Sequence, residues 1–265
     1  MGIKFRLIVM NFLQYAIWGS WLISLGAYLG GGLDFTGLQI GSFFATMGVA
    51  SLFMPAVMGI IADRWIPAQK LLGICHLVSG GFLIAAASQT AYGPLYSCML
   101  LSVMFYMPTI ALSNSVAYNA LDLARLDTVK HFPPIRVWGT VGFIAAMWFV
   151  DLTHIGGVQI KLTEWQLYVS AVLSFLLSVY SFSLPGCPVD RNVKARSWVD
   201  TLGLRAFTLF KEKRMAIFFV FSMLLGAALQ ITNAFGDSYI QSFGSMPQYA
   251  DSAIVKHSVI LLSLS

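Results

Sequence analysis

Charge is what this chain has least of. Only 10% of its 265 residues are Asp, Glu, Lys or Arg, where an ordinary soluble domain carries about a quarter. With 58% hydrophobic residues and a mean hydropathy of +0.77, it has too little polar surface for water, so lipid is its expected solvent. Cysteine is scarce as well. Cys75, Cys98 and Cys187 stand far apart, so no zinc or disulfide framework is readable. Two of them fall in apolar segments, where a thiol serves as a small hydrophobe. Of the four histidines, only His76 lies inside an apolar run; His131, His154 and His257 stand near the ends of runs. No HExxH, GxSxG or P-loop pattern occurs. Nothing therefore points to an enzyme, and neither a cofactor nor a metal site is expected. The net charge of +5 is not a nucleic-acid footprint, and no nucleic-acid partner is expected.

What is present is a series of long apolar runs. A membrane span needs about 20 predominantly apolar residues, and candidates lie at 7–29, 38–62, 71–90, 95–118, 134–152, 166–185 and 214–236. The 20 Phe, 7 Trp and 10 Tyr suit a protein with interfacial aromatic belts. The first run is too long for a signal-peptide core and no A-x-A site follows it, so it reads as a spanning helix. An eighth run begins near Ile254 and is still apolar at Ser265. Too short to cross a bilayer, it makes the chain read as a fragment cut inside a helix. The fold expected is all-α and polytopic, with about seven complete transmembrane helices and the start of an eighth.

The basic residues orient these spans. Lys4 and Arg6 precede the first; Arg64 and Lys70 follow the second; Arg125, Lys130 and Arg136 lie between the fourth and fifth or at the mouth of the fifth. Arg191, Lys194, Arg196, Arg205, Lys211, Lys213 and Arg214 fill the connection before the seventh. Of the 16 basic residues, only Lys161 and Lys256 fall on the other side. The positive-inside rule then makes the N-terminus cytoplasmic. That connection, which contains PGCPVDRNVKARSW, is the one plausible linker. Six spans, a basic loop and further spans form the layout of a two-bundle transporter. The expected division is an N-terminal six-helix bundle over 1–186, a cytoplasmic linker over 187–213 and the start of a second bundle over 214–265. LGAYL (25–29) and LGAAL (225–229) sit at different offsets in their spans, so they carry little weight as a repeat.

Polar side chains are costly in hydrocarbon and usually face a bundle interior or a cavity. In the 134–152 span, Arg136, Gly139, Thr140 and Phe143 share one helical face at i, i+3, i+4 and i+7. A five-donor cation, a hydroxyl and an aromatic ring together can grip a polar, planar, uncharged ligand. An arginine this near a helix start can equally snorkel to the membrane surface as an anchor, and position leaves both readings open. Gln230 and Asn233, at i and i+3 of the seventh span, carry amides that can read a base edge or sugar hydroxyls. They can also bond between helices. Asn11, Gln14, Trp18 and Trp21 form a comparable stripe in the first span, and Asn114 and Tyr118 a pair in the fourth; interhelical bonding and packing explain them. TVGF (140–143) resembles part of a potassium filter, but it lies in a continuous apolar span, whereas a filter needs extended backbone. A rhodopsin-like reading fails on orientation and on the lack of an interior lysine in the seventh span.

Beyond these patterns stand longer motifs. GIIADRW (59–65) resembles the G-x-x-x-D-R signature of the major facilitator superfamily. It departs from the signature after Arg64, where Ile66, Pro67 and Ala68 replace the usual glycine and basic pair. FLQYAIWGSWL (12–22), MPTIALSNS (107–115), FPPIRVWGT (132–140) and KRMAIFFVFSMLLGAALQITN (213–233) resemble the bacterial nucleoside:proton symporters of that superfamily, and the match runs along essentially the whole chain. The resemblance implies a twelve-helix carrier in the inner membrane, with a nucleoside site between two six-helix bundles. It implies that Arg136, Thr140, Phe143, Gln230 and Asn233 contact the nucleoside, and that Gly59, Asp63 and Arg64 act in conformational gating. It implies nucleoside and protons as the transported partners, the bilayer as surroundings, and no cofactor. The proton-coupling carboxylates are then expected beyond Ser265, since Asp151 and Asp237 lie at helix ends. A carrier of another polar solute such as a sugar, and a membrane protein that does not transport, remain the alternatives.

Overall fold

A computed structural model describes residues 2–189, 211–243 and 252–262. Most of the 187–213 connection therefore lies outside the described residues, as does Ser265. Helix α1 spans Ile3–Gly19, and a single turn of helix, α2 (Leu25–Ala27), leads into a π-helical turn at Tyr28–Gly32. Then come α3 (Gly37–Arg64), α4 (Ala68–Ala87), α5 (Tyr92–Leu123) and α6 (Thr128–Leu152). A two-stranded hairpin, β1 (His154–Ile155) and β2 (Val158–Gln159), and a 3₁₀ turn at Ile160–Leu162 lead to α7 (Trp165–Ser181). Helix α8 spans Lys213–Ser242, and the short α9 (Ala253–Lys256) and α10 (Ser258–Leu262) follow.

Local sequence sets several of these limits. Thr36 caps α3: its hydroxyl accepts from the Gln39 amide N–H while the Gln39 side chain accepts from the Thr36 N–H, a reciprocal capping box. Asp127 caps α6 by accepting from the Val129 N–H. Prolines stand inside α3 (Pro55), α5 (Pro108) and α6 (Pro133 and Pro134), which membrane helices tolerate when neighbours satisfy the freed carbonyls.

Five helices, α3, α4, α5, α6 and α8, are long and apolar enough to cross a membrane. All five coincide with sequence-predicted spans. The 166–185 span is the 17-residue α7. The 7–29 span is not continuous, because the helix breaks over Ser20–Ser24. There Ser20 Oγ turns back on the Ala16 carbonyl, and Ser24 Oγ donates to Gln166 Oε1 of α7 at 2.9 Å. Ser20, Leu22 and Leu25 still donate to the carbonyls four residues back and Trp21 donates three back to Trp18, so the helix is distorted there and the two hydroxyl bonds add to a partial ladder.

Helix α1 packs against α6 and α7, α4 against α5 and α7, and α3 against α5, while α8 meets α2 and the α9–α10 segment. The α1–α6 contact is made backbone to backbone. A methyl group on Gly142 would collide with the Phe12 carbonyl, and one on Gly19 with the Phe143 carbonyl. Small residues at such crossings let membrane helices approach closely. Buried positions between helices are frequently polar: Ser79 meets Ser102 at 2.9 Å, Ser170 donates to the Ile17 carbonyl, and Ser178 donates to the Gly73 carbonyl. Outward positions such as Leu52, Phe53, Leu77, Phe149, Val172 and Val179 are exposed and apolar. Polar contacts inside and hydrocarbon outside is the distribution that a lipid solvent favours.

Candidate functional site

The α1 stripe separates into two roles. Gln14, fully buried, donates from Nε2 to Thr109 Oγ1 at 2.7 Å, and its Oε1 lies 2.9 Å from His76 Nε2. With its amide so oriented, the proton of that His76 contact is on Nε2. His76 Nδ1 meets Ser174 Oγ at 3.3 Å, and Tyr106 donates to the Gln14 carbonyl at 2.6 Å. This network ties α1, α4, α5 and α7 together and is saturated, so His76 and Gln14 are structural. One turn on, Trp18 lies against the Tyr106 ring with centroids 6.0 Å apart. It borders a cavity of about 520 Å³ between α1, α3, α5 and α8, lined also by Phe44, Met47, Ser51, Met107 and Gln230. Among the described residues, Trp18 Nε1 and Gln230 Nε2 are buried without hydrogen-bond partners. Buried donors are rarely left unspent, so two donors beside one cavity suit an acceptor-rich occupant.

The sequence-predicted residues of α6 lie on the other flank of α1. The Arg136 guanidinium sits over the Tyr15 ring, 3.8 Å from its centroid. Among the described residues no carboxylate pairs with it. Arg136 is half-buried, Gly139 is buried against the Tyr15 ring, and Thr140 is exposed at the open edge of the face. Phe143 is half-buried beside Ile23 of the segment after α1, Met147 of α6 and Val259 of α10. The structure thus keeps Arg136, Gly139, Thr140 and Phe143 on one face, but none of them lines the cavity that Gln230 borders. Asn233 is half-buried on α8, next to Ala234, whose carbonyl would meet a methyl group on Gly26 of α2. Tyr15 and Trp18, one turn apart on α1, are the link between the two flanks. Both lie within the quoted 12–22 stretch, but neither was singled out as a partner of Arg136 or of Gln230. The pairing of the aromatics on α1 with polar groups on α6 and α8 was the available signal.

At the C-terminal end of α3, Asp63 is exposed and Arg64 half-buried, and a methyl group on Gly59 would meet open space. At the opposite end stands a charged group that sequence reasoning set aside. Asp151 and Lys161 are both buried and form an ion pair at 2.6 Å.

A family model described as nucleoside H+ symporter matches residues 1–265. The chain belongs to the nucleoside H+ symporter family. It is 51% identical over 265 residues to the xanthosine permease of Escherichia coli (strain K12), matching 100% of this chain and 62% of that protein. It is 45% identical over the same length, again 62% of the relative, to the nucleoside permease NupG of Escherichia coli (strain K12). The crystal structure of the nucleoside transporter NupG superposes with a TM-score of 0.87 at 45% identity, covering 100% of this chain and 64% of that one. A mutant form of NupG gives a TM-score of 0.89 over 99% of this chain. The fold is that of a major facilitator transporter, and these relatives are permeases, not enzymes. The chain spans about 62% of the length of the curated relatives it matches.

Proposed function

We propose that the protein is a nucleoside symporter: it carries nucleosides inward across the cytoplasmic membrane together with protons, by alternating access. The observation that carries this reading is the identity of 45–51% to a nucleoside and a xanthosine permease along the whole chain. Residues 1–186 form the first bundle, 187–213 a cytoplasmic linker, and 214–265 the beginning of the second bundle. The N-terminus faces the cytoplasm, in keeping with the distribution of Lys and Arg. The bundles rock about a midplane site.

Within that site Arg136 donates to ligand oxygens from the edge of a guanidinium whose face is taken by Tyr15. Thr140 hydrogen-bonds beside it, Phe143 offers a ring to stack on, and Gln230 and Asn233 read the ligand from α8. Gly59, Asp63 and Arg64 control the inner end of the first bundle. Half-burial of Arg136, Phe143, Gln230 and Asn233 supports this assignment, since a binding group must be both positioned and reachable. Uptake of radiolabelled uridine by the intact protein in proteoliposomes tests it. Uptake should follow an imposed proton gradient and vanish with an uncoupler. Uptake indifferent to the uncoupler, or competed by sugars and not by nucleosides, overturns it.

A further inference from the structure

Three glycines lie where α1 crosses α6, and one of them differs from the others in what it faces. Methyl groups on Gly19 and Gly142 would strike backbone carbonyls of the facing helix, those of Phe143 and Phe12. The nearest neighbours of a methyl group on Gly139 would be side chains. It would lie 2.5 Å from Cδ2 of the Tyr15 ring and 2.8 Å from Nη1 of Arg136. Gly139 is thus a notch filled by both members of the cation–ring pair, whose guanidinium carbon stands 3.8 Å from the ring centroid.

The notch bears on which way Arg136 points. In a helix the Cα–Cβ bond leans toward the N-terminus, and long side chains lie over the preceding turn. An arginine near the start of a span that snorkels to the membrane surface continues in that direction. Arg136 does the reverse. Its Nη1 reaches Gly139, one turn further along α6, which is about 4.5 Å deeper into the span at 1.5 Å per residue. The guanidinium is half-buried there with no carboxylate paired to it among the described residues. The face of Tyr15 compensates its charge instead. A side chain at position 139 would occupy the place that the ring edge and the guanidinium now share.

We propose that Gly139 is a positioning residue for Arg136: its bare backbone lets the guanidinium turn inward onto Tyr15, where its edge can donate to a ligand. The identity of that ligand rests on the nucleoside-transport reading; the orientation rests on the contacts of Gly139, Tyr15 and Arg136 alone. A methyl group at position 139 pushes the guanidinium, the mobile end of a long side chain, back toward the start of the span. Arg136 then becomes the surface anchor that its position near the helix start also permits.

A fluorine-labelled tyrosine at position 15 of the intact protein reports the pair without any ligand. With Gly139 in place, Arg136→Ala should shift the fluorine resonance, because the cation leaves the ring. In a Gly139→Ala background the same substitution should produce little shift, because the cation has already left. Comparing within each background cancels the direct effect of the new methyl group on the ring. No shift with Gly139 in place, or a shift equally large in both backgrounds, overturns the proposal. Titration calorimetry with uridine reads the consequence. Gly139→Ala should bind about tenfold to 150-fold more weakly, which is the loss of the charge-assisted hydrogen bonds of Arg136. The Arg136→Ala/Gly139→Ala double variant should bind no more weakly than Arg136→Ala, and additive losses overturn the proposal as well. The thermal midpoint of Gly139→Ala should fall less than that of Gly142→Ala, whose methyl group meets the α1 backbone. An equal or larger fall makes Gly139 a packing residue and overturns the positioning role. If the parent protein binds no uridine, the nucleoside reading fails, and the fluorine comparison still decides the orientation.

Discussion

Removing the Tyr15 ring should weaken nucleoside binding by an amount set by its contact with Arg136. A cation over an aromatic face contributes about 0.5–1 kcal/mol when exposed and about 2 kcal/mol when desolvated. Here the ring is 7% exposed and the guanidinium carbon lies 3.8 Å from its centroid, so the upper part of that range applies. At about 1.4 kcal/mol per tenfold, Tyr15→Leu should raise the dissociation constant about tenfold to thirtyfold. Arg136→Ala removes charge-assisted hydrogen bonds of about 1.5–3 kcal/mol, a loss of about tenfold to 150-fold. The ring acts only by orienting the guanidinium, so the two losses should not add: the double variant should bind about as poorly as Arg136→Ala alone. Tyr15→Phe keeps the ring and should bind within about twofold of the parent, an expectation built on the same contact. Titration calorimetry with uridine on the purified intact protein measures all four variants, and the thermal midpoint of each reports folding. Additive losses, or a Tyr15→Phe variant as weak as Tyr15→Leu, would refute the orienting role, and unchanged binding in Arg136→Ala would return Arg136 to a surface anchor.

Three further substitutions test other contacts. Gly142→Ala drives a methyl group into the Phe12 carbonyl; overpacking of this kind costs about 1–3 kcal/mol, so the thermal midpoint in detergent should drop and uridine binding should fall with it as Tyr15 and Arg136 separate. His76→Leu strands Gln14 Oε1, which lies 2.9 Å from His76 Nε2, at a cost of about 1–3 kcal/mol; stability should fall while uridine affinity stays within about twofold, since the network that includes Gln14 is saturated. Gln230→Leu should do the opposite. It removes a buried donor with no partner among the described residues, so the thermal midpoint should hold or rise while uridine affinity drops; a loss of stability with unchanged affinity would assign the amide to folding instead.

Much of the helical framework was legible because hydropathy and helix length are set by the same requirement, that apolar side chains cover a backbone satisfied within its own segment. Helices α3, α4, α5, α6 and α8 follow the apolar runs for that reason. The break at Ser20–Ser24 is not legible in the apolar run, which continues through it, and the Gln166 side chain of α7 that meets Ser24 there is a partner that no local window contains. The stripe on α1 shows the limit of periodicity more sharply. Asn11, Gln14 and Trp18 occupy one face, yet Gln14 is locked to Thr109 and His76 while Trp18 borders the cavity. Spacing places residues on a common face; it does not reveal which neighbours that face meets along its length.

The charged cluster was the least legible feature, for a related reason. Asp151, Lys161, Asp237 and His257 each look like a solvated charge near the end of an apolar run, and that is where such charges are inexpensive. Their significance depends on burial: Asp151, Lys161 and Asp237 are each at most 1% exposed. A lysine retained in such a place is compensated by contacts drawn from both parts of the chain, Asp151 on one side and the Lys256 carbonyl and Ser258 on the other. Separating α6 from α10 therefore breaks the hydrogen bonds of the ammonium and exposes the pair to water at the same step. The ion pair with Asp151 lies within the first part of the chain, whereas the other two contacts of the ammonium exist only where the later segment meets it.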